Sequence, residues 1–178
     1  EYLFPVSFPR FEIPPEASHN PSALRIAVLP SSRWHTKNWP VESFADLLKL
    51  LRESMEISVF LIGSEKDSER CEKSRELLGE DAVNFAGKCS LPEMGGLLQK
   101  MDLLISNDSG PVHMSAAVGT PSLVVFGPTD PNRTGPFGDI HRVVKESLPC
   151  QPCFSRTCNK EGIPCLSGVT PERAARDV

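Results

Sequence analysis

The chain has 178 residues, of which 39% are hydrophobic and 24% are charged, proportions that are ordinary for one globular domain. Its net charge of −4, with no dense stretch of lysine and arginine, argues against a nucleic-acid surface, which needs many cations facing the phosphates. No apolar run is long enough to cross a membrane, so the sequence predicts no transmembrane segment.

Prolines are frequent in the first part of the chain. Five of the seventeen precede Leu24, namely Pro5, Pro9, Pro14, Pro15 and Pro21. Such a composition without hydrophobic periodicity is typical of an extended linker. We therefore predict that residues 1–23 form a linker and that residues 24–178 form the folded domain.

Short apolar runs alternate with segments of helical character along the rest of the chain. The predicted strands are Leu24 to Leu29, Ile57 to Ile62, Val83 to Phe85, Leu103 to Ile105, Ser122 to Phe126 and Arg142 to Val144. The predicted helices start at Pro40, at Glu65 (ending at Leu78), at Leu91 (ending at Lys100), at Gly110, and at Thr170 (ending at Val178). This alternation predicts an α/β fold, a doubly wound Rossmann-like parallel sheet whose ligands bind beyond the carboxyl ends of the strands.

The loop after the fourth predicted strand carries the most informative chemistry. Gly110 and Pro111 suit the start of a short helix, and Gly119 can end it. Backbone N–H groups from Ser109 onward would stand unpaired at the positive end of that helix, which predicts an anion site. The dipole alone contributes about 0.3–1 kcal/mol, so a phosphate needs further partners, and His113 is a candidate.

The loop after the first predicted strand supplies two hydroxyls, Ser31 and Ser32, and the ammonium of Lys37. A fixed ammonium would stabilise the charge that develops on a departing diphosphate. The alternative is a solvated surface lysine, since most lysines are exposed.

Three runs resemble a known family: DSGPVH at 108–113, AA at 116–117 and FGPTDP at 126–131. They resemble the donor-binding half of family 9 glycosyltransferases, the ADP-heptose:lipopolysaccharide heptosyltransferases. The resemblance covers most of the chain from Leu24 onward. It implies the C-terminal half of a GT-B glycosyltransferase, with an N-terminal acceptor domain, absent here, facing it across a cleft.

The resemblance also implies the site residues. Those expected to bind the ADP part of the donor are Ser31, Ser32, Asp67, Lys88, Cys89, Ser90, Leu91, Ser109, Gly110 and His113. Lys37 is expected to neutralise the diphosphate in catalysis, and Asp108 to orient a sugar hydroxyl or anchor its loop. Asp67 is the expected ribose ligand, but with Ser64 it also resembles a capping box, which leaves a purely structural alternative open.

The implied activity is inverting transfer of heptose from ADP-heptose to the inner core of lipopolysaccharide. No DxD pair is present, so no metal is expected in catalysis, and the acceptor base is expected in the absent domain. The isolated chain would then bind nucleotide but transfer little sugar. The expected partners are the nucleotide-sugar and a lipid-linked oligosaccharide acceptor, and the expected location is the cytoplasm, peripheral to the inner membrane. The alternative function is a non-catalytic nucleotide-binding or interaction module whose cysteine-rich loop is the working part.

Four clustered cysteines, Cys150, Cys153, Cys158 and Cys165, could bind a structural zinc ion tetrahedrally. Their spacing lacks the usual second C-x2-C pair, so local disulfides and unpaired thiols remain alternatives. Thr129 and Arg133, in the run after the fifth strand, either face the cleft or belong to a simple turn.

Overall fold

The structure is a computed structural model that describes residues 8–14, 20, 22–79 and 82–178. Six parallel strands form one sheet in the order β3-β2-β1-β4-β5-β6. They are β1 (Leu24–Leu29), β2 (Ile57–Leu61), β3 (Ala82–Asn84), β4 (Leu103–Asn107), β5 (Ser122–Phe126) and β6 (Arg142–Lys145). The predicted doubly wound α/β fold is therefore confirmed.

Seven helices accompany the strands in the described residues. They are α1 (Val41–Arg52), α2 (Ser68–Leu78), α3 (Leu91–Leu98), α4 (Gly110–Val118), α5 (Pro131–Thr134), α6 (Pro164–Ser167) and α7 (Pro171–Ala175). The four-residue helices α5 and α6 were not predicted from the sequence, because they are too short to show a periodic apolar face.

Both faces of the sheet are buried, which explains why the strands are almost continuously apolar. In β1, Ile26 and Val28 face the layer that contains α1, while Ala27 and Leu29 face the layer of α3 and α4. Fully burying one such aliphatic side chain contributes about 1.5–3 kcal/mol, so these two layers dominate the stability of the domain.

Several predicted boundaries shift by a few residues. The helix predicted from Glu65 begins as a 3-10 turn, Glu65–Asp67, before α2. The helix predicted to reach Lys100 ends at Leu98, since the N–H groups of Lys100 and Met101 bond to carbonyls three residues back. The last helix similarly loosens into turns after Ala175.

Part of the N-terminal segment packs on the domain. Phe11 contacts the Phe85 ring edge-on at 5.9 Å between centroids. A side chain at Gly95 or Gly96 of α3 would clash with this segment, which explains two consecutive glycines inside a helix. Residues 1–7, 15–19 and 21 of the predicted linker lie outside the described residues, and the linker stays a prediction.

No helix in the described ranges is long and apolar enough to cross a lipid bilayer.

Candidate functional site

The sheet reverses its winding between β1 and β4, which are neighbours in space although β2 and β3 separate them in sequence. The helices that follow them, α1 and α4, pack on opposite faces, so a crevice opens between the two strand ends. The crevice has a volume of about 1110 Å³. Its lining residues are Leu29, Ser31, Ser32, Arg33, Trp34, Lys37, Gly63, Ser64, Lys66, Asp67, Cys89, Leu91, Met94, Asp108, Ser109, Gly110 and Pro111.

The loop between β1 and α1 brings Lys37 into this crevice. The Ser32 N–H donates to the Asn38 side chain at 2.6 Å, and the Trp39 N–H donates to Asn107 at the end of β4, at 2.9 Å. Lys37 Nζ lies 2.7 Å from Asp108 Oδ2 and 4.7 Å from the centroid of the Trp34 ring. Lys37 is therefore held at the strand ends, and its side chain is only 15% exposed. Lys37 is thus not a freely solvated surface lysine.

Asp108 accepts hydrogen bonds from several side chains at this site. Besides Lys37, its Oδ2 atom accepts hydrogen bonds from the Thr129 hydroxyl at 2.6 Å and, more weakly, from the Thr134 hydroxyl at 3.4 Å. The side chain is 5% exposed, and burying a carboxylate requires such partners. Both threonines contact Asp108, and neither of them lines the crevice.

The start of α4 also lines the crevice. Ser109 is its N-cap residue in extended conformation, but no side chain caps the helix. The Ser109 hydroxyl lies 3.2 Å from that of Ser106, and a Cβ atom added at Gly110 would meet no other group within 4 Å. The positive end of a nine-residue helix therefore faces open space in the crevice, an arrangement that favours anions.

The two serines after β1 differ in their surroundings. Ser32 donates its hydroxyl to the Trp34 carbonyl at 3.1 Å. The buried Ser31 hydroxyl makes no hydrogen bond of ordinary length with the described residues, although it lies near enough to Asp67 to lower the pKa of that carboxyl. Ser31 is thus the hydroxyl more available to a ligand.

Asp67 forms the capping box that its sequence resembled. Its Oδ2 atom accepts from the backbone N–H of Ser64 at 2.8 Å and from the Ser64 hydroxyl at 2.6 Å. Burial raises the pKa of Asp67, but the nearby Ser31 hydroxyl, the hydrogen bonds from Ser64 and the charge of Arg70 outweigh it, so the net shift is downward. Asp67 also lines the crevice, and its role as ribose ligand stays a prediction.

The run at 88–91, which is also expected to bind ADP, only partly reaches the crevice. Cys89 and Leu91 line it, and burial raises the pKa of the Cys89 thiol. Lys88 instead approaches the Phe85 ring at 5.9 Å, and Ser90 is engaged by Glu93 in the capping box of α3. His113 is exposed on α4 and is not among the lining residues. Binding roles for these residues stay predictions.

The four clustered cysteines surround a separate cavity of about 30 Å³. Burial, and then the nearness of the other three thiols, raises the pKa of Cys165. All four are free thiols, and no group of three or more potential ligands among the described residues is arranged to hold a metal ion. The predicted structural zinc therefore lacks support, because proximity in sequence has not produced a coordinating geometry.

The sequence did not reveal one residue that supports the loop carrying Lys37. Arg70 of α2 donates to the carbonyls of Pro30, at 2.7 Å, and Trp39, at 2.8 Å, and so ties together both ends of the loop that carries Lys37. Nothing in the charged pattern of α2 distinguishes Arg70 from its neighbours.

Comparison with known proteins adds to this geometry. The family model for glycosyltransferase family 9 (heptosyltransferase) matches residues 14–163. The lipooligosaccharide heptosyltransferase 2 of Campylobacter jejuni is 29% identical over 146 residues, which is 80% of this chain and 46% of the relative. The protein of the same name in Haemophilus influenzae is 35% identical over 147 residues, 78% of this chain and 41% of the relative. The chain thus spans less than half the length of these relatives.

Solved structures agree on the fold. The ADP-heptose lipopolysaccharide heptosyltransferase II of E. coli superposes with a TM-score of 0.73 and 24% identity, over 97% of this chain and 53% of that one. A family 9 glycosyltransferase from Veillonella parvula gives a TM-score of 0.76 at 22% identity, over 91% and 46% of the two chains. Because the family model covers most of the sequence, this chain belongs to glycosyltransferase family 9, the heptosyltransferase family.

Proposed function

We propose that this chain is the donor-binding domain of an inverting glycosyltransferase that moves heptose from ADP-heptose to the inner core of lipopolysaccharide. One observation carries the proposal: the ammonium of Lys37 and the uncapped start of α4 lie in one crevice at the winding reversal of the sheet. The names of the relatives supply the sugar and the acceptor class.

The pyrophosphate of the donor is placed at Ser109 and Gly110, within reach of Lys37 and the buried Ser31 hydroxyl. The adenosine then extends toward Cys89 and Leu91, the apolar end of the crevice, where Asp67 is the candidate for the ribose hydroxyls. The heptose is left at the Lys37 and Asp108 end, which faces the acceptor.

In the proposed reaction an acceptor hydroxyl attacks the anomeric carbon of heptose while the bond from that carbon to the phosphate oxygen breaks. The bonding electrons pass to the diphosphate, where the Lys37 charge and the α4 dipole stabilise them without a metal ion. The base that takes the acceptor proton is placed outside residues 1–178, in an acceptor-binding domain. We therefore expect nucleotide binding but little transfer from this chain alone, and full turnover by it would contradict this part of the proposal.

A location in the cytoplasm at the inner membrane follows from the proposed lipid-linked acceptor. The alternative, a non-catalytic interaction module built on the cysteine loop, is not favoured, because the family model extends through the donor crevice.

The test is a calorimetric titration of ADP, and of UDP for comparison, into the wild type and a Lys37→Ala variant. Loss of one charge-assisted hydrogen bond costs about 1.5–3 kcal/mol, so the variant should bind ADP roughly 10- to 150-fold more weakly. Lys49→Ala is the matched control, since it removes an exposed lysine of α1 and should leave binding unchanged. Equal ADP affinities for the wild type and Lys37→Ala would contradict the proposal.

A further inference from the structure

The loop after β5 places a buried threonine behind the donor crevice. Phe126 ends the strand, and Thr129 follows three residues later at the carboxyl edge of the sheet. Two contacts fix the loop from its outer side: Gln151 Nε2 donates to the Gly127 carbonyl at 2.7 Å, and the Phe154 N–H donates to the Pro128 carbonyl at 2.8 Å. Thr129 is only 3% exposed, and its hydroxyl has a fixed direction.

That hydroxyl and the Lys37 ammonium share one acceptor atom. Thr129 Oγ1 lies 2.6 Å from Asp108 Oδ2, and Lys37 Nζ lies 2.7 Å from the same oxygen. A hydrogen bond from a fixed hydroxyl to a buried carboxylate is short and charge-assisted, so it restricts rotation of the carboxylate plane. The orientation of Asp108, and through it that of Lys37, therefore depends on Thr129.

We infer that Thr129 is a positioning residue for donor binding, acting through Asp108 to hold the Lys37 ammonium where a nucleoside diphosphate docks. The inference rests on the proposed function and deepens it. Thr129 does not line the crevice, so it cannot contact the nucleotide directly. Its contribution is preorganisation: Lys37 meets the phosphate without first being ordered from many rotamers.

A structural role alone would give a different result on substitution, and the chain provides a control for it. Thr120 is also a buried threonine, 4% exposed, whose hydroxyl donates at 2.7 Å to the Leu98 carbonyl. Thr120→Val and Thr129→Val remove the same hydroxyl from similarly buried positions. Of these two threonines, only Thr129 is connected to the donor crevice through a carboxylate that it shares with Lys37.

The experiment measures ADP affinity by calorimetry for Thr129→Val, Thr129→Ser and Thr120→Val. Thr129→Val should weaken ADP binding by about 2- to 12-fold, less than Lys37→Ala, because Thr129 acts on the nucleotide only through Asp108 and Lys37. Thr129→Ser should restore affinity to within about twofold of wild type. Thr120→Val should leave affinity unchanged. If Thr129→Val does not fold, Thr129→Ala removes the same hydroxyl without adding a methyl group beside the carboxylate and replaces it in the comparison.

A double-mutant cycle separates positioning from general loosening. In a Lys37→Ala background, Thr129→Val should have no further effect on ADP affinity, since the ammonium that it positions is gone. Equal effects in both backgrounds would overturn the inference, and so would wild-type affinity in the valine or alanine variant. If ADP binds the wild type and Lys37→Ala weakens it, such a result leaves the proposed function intact. If the wild type does not bind ADP, both proposals fail.

Discussion

The starts of helices α3 and α4 lie at the same edge of the sheet, but α3 has a capping box and α4 has no side-chain cap. At α3, Glu93 accepts hydrogen bonds from the backbone N–H of Ser90 at 2.8 Å and from its hydroxyl at 2.6 Å. At α4, the N-cap residue Ser109 gives no such cap, and its hydroxyl lies near Ser106 instead. One helix start is satisfied within the protein, and the other is open to the crevice.

This difference makes the start of α4 more favourable for an anion than the start of α3. A capping carboxylate satisfies the N–H groups and also opposes an approaching phosphate by its charge. The uncapped start of α4 lies in the same crevice as the Lys37 ammonium, so two groups that favour an anion occur together there.

Among changes that test this difference between the two helix starts, the largest effect should come from placing a carboxylate at the start of α4. Ser109→Asp places a carboxylate at the helix start, where it would repel the diphosphate. We expect ADP affinity to fall at least about tenfold, or ~1.4 kcal/mol. Ser109→Asn has nearly the same size without the charge and should bind ADP much better than Ser109→Asp in the same calorimetric titration. Similar losses in both variants would mean that steric change, and not charge, controls binding.

A smaller effect should follow from removing the cap of α3. Glu93→Ala leaves the Ser90 N–H without its acceptor, so we expect a melting temperature lowered by a few degrees in differential scanning calorimetry. ADP affinity should stay within about twofold of wild type, because Glu93 does not line the crevice. A large loss of affinity would show that the two helix starts are not independent.

The smallest effect concerns Asp67, whose capping box precedes α2 and also lines the crevice. Its pKa is lowered in the folded state, so its contribution to stability is present above the unfolded pKa of about 3.9 and is lost as the pH falls through the folded value. Urea denaturation should therefore show Asp67→Asn to be less stable than wild type at pH 6, with a smaller difference near pH 3. A difference that does not change with pH would contradict this account of Asp67.

The sheet was the part that the sequence predicted best. Buried parallel strands need apolar residues on both faces, and Leu24–Leu29 and Ser122–Phe126 were found with the predicted bounds for that reason. Helix ends were less accurate, because the last turns of α3 and α7 depend on local backbone hydrogen bonds that leave little mark on composition.

The sequence predicted which residues form the site better than it predicted the contacts between them. Lys37 and Ser109 were found from loop chemistry, but the bond between Lys37 and Asp108 joins residues 71 positions apart, which spacing cannot reveal. The run around Thr129 suited a turn equally well, and only the folded chain shows its hydroxyl on Asp108. Similarly, the spacing of four cysteines could not specify the directions of their sulfur atoms.

β1 pairs with β4, with Val28 opposite Ile105, and this pairing has a consequence for how the protein folds. During synthesis, the segment that carries Lys37 is made before Asp108, so the contact between these residues, 71 positions apart, cannot form until both have been made. The proposed nucleotide site is complete only when both parts of the sheet have joined. A ligand that binds only the native state stabilises it by about 2.7 kcal/mol at 100 times its dissociation constant, so ADP bound at the proposed site would stabilise only the completely folded domain.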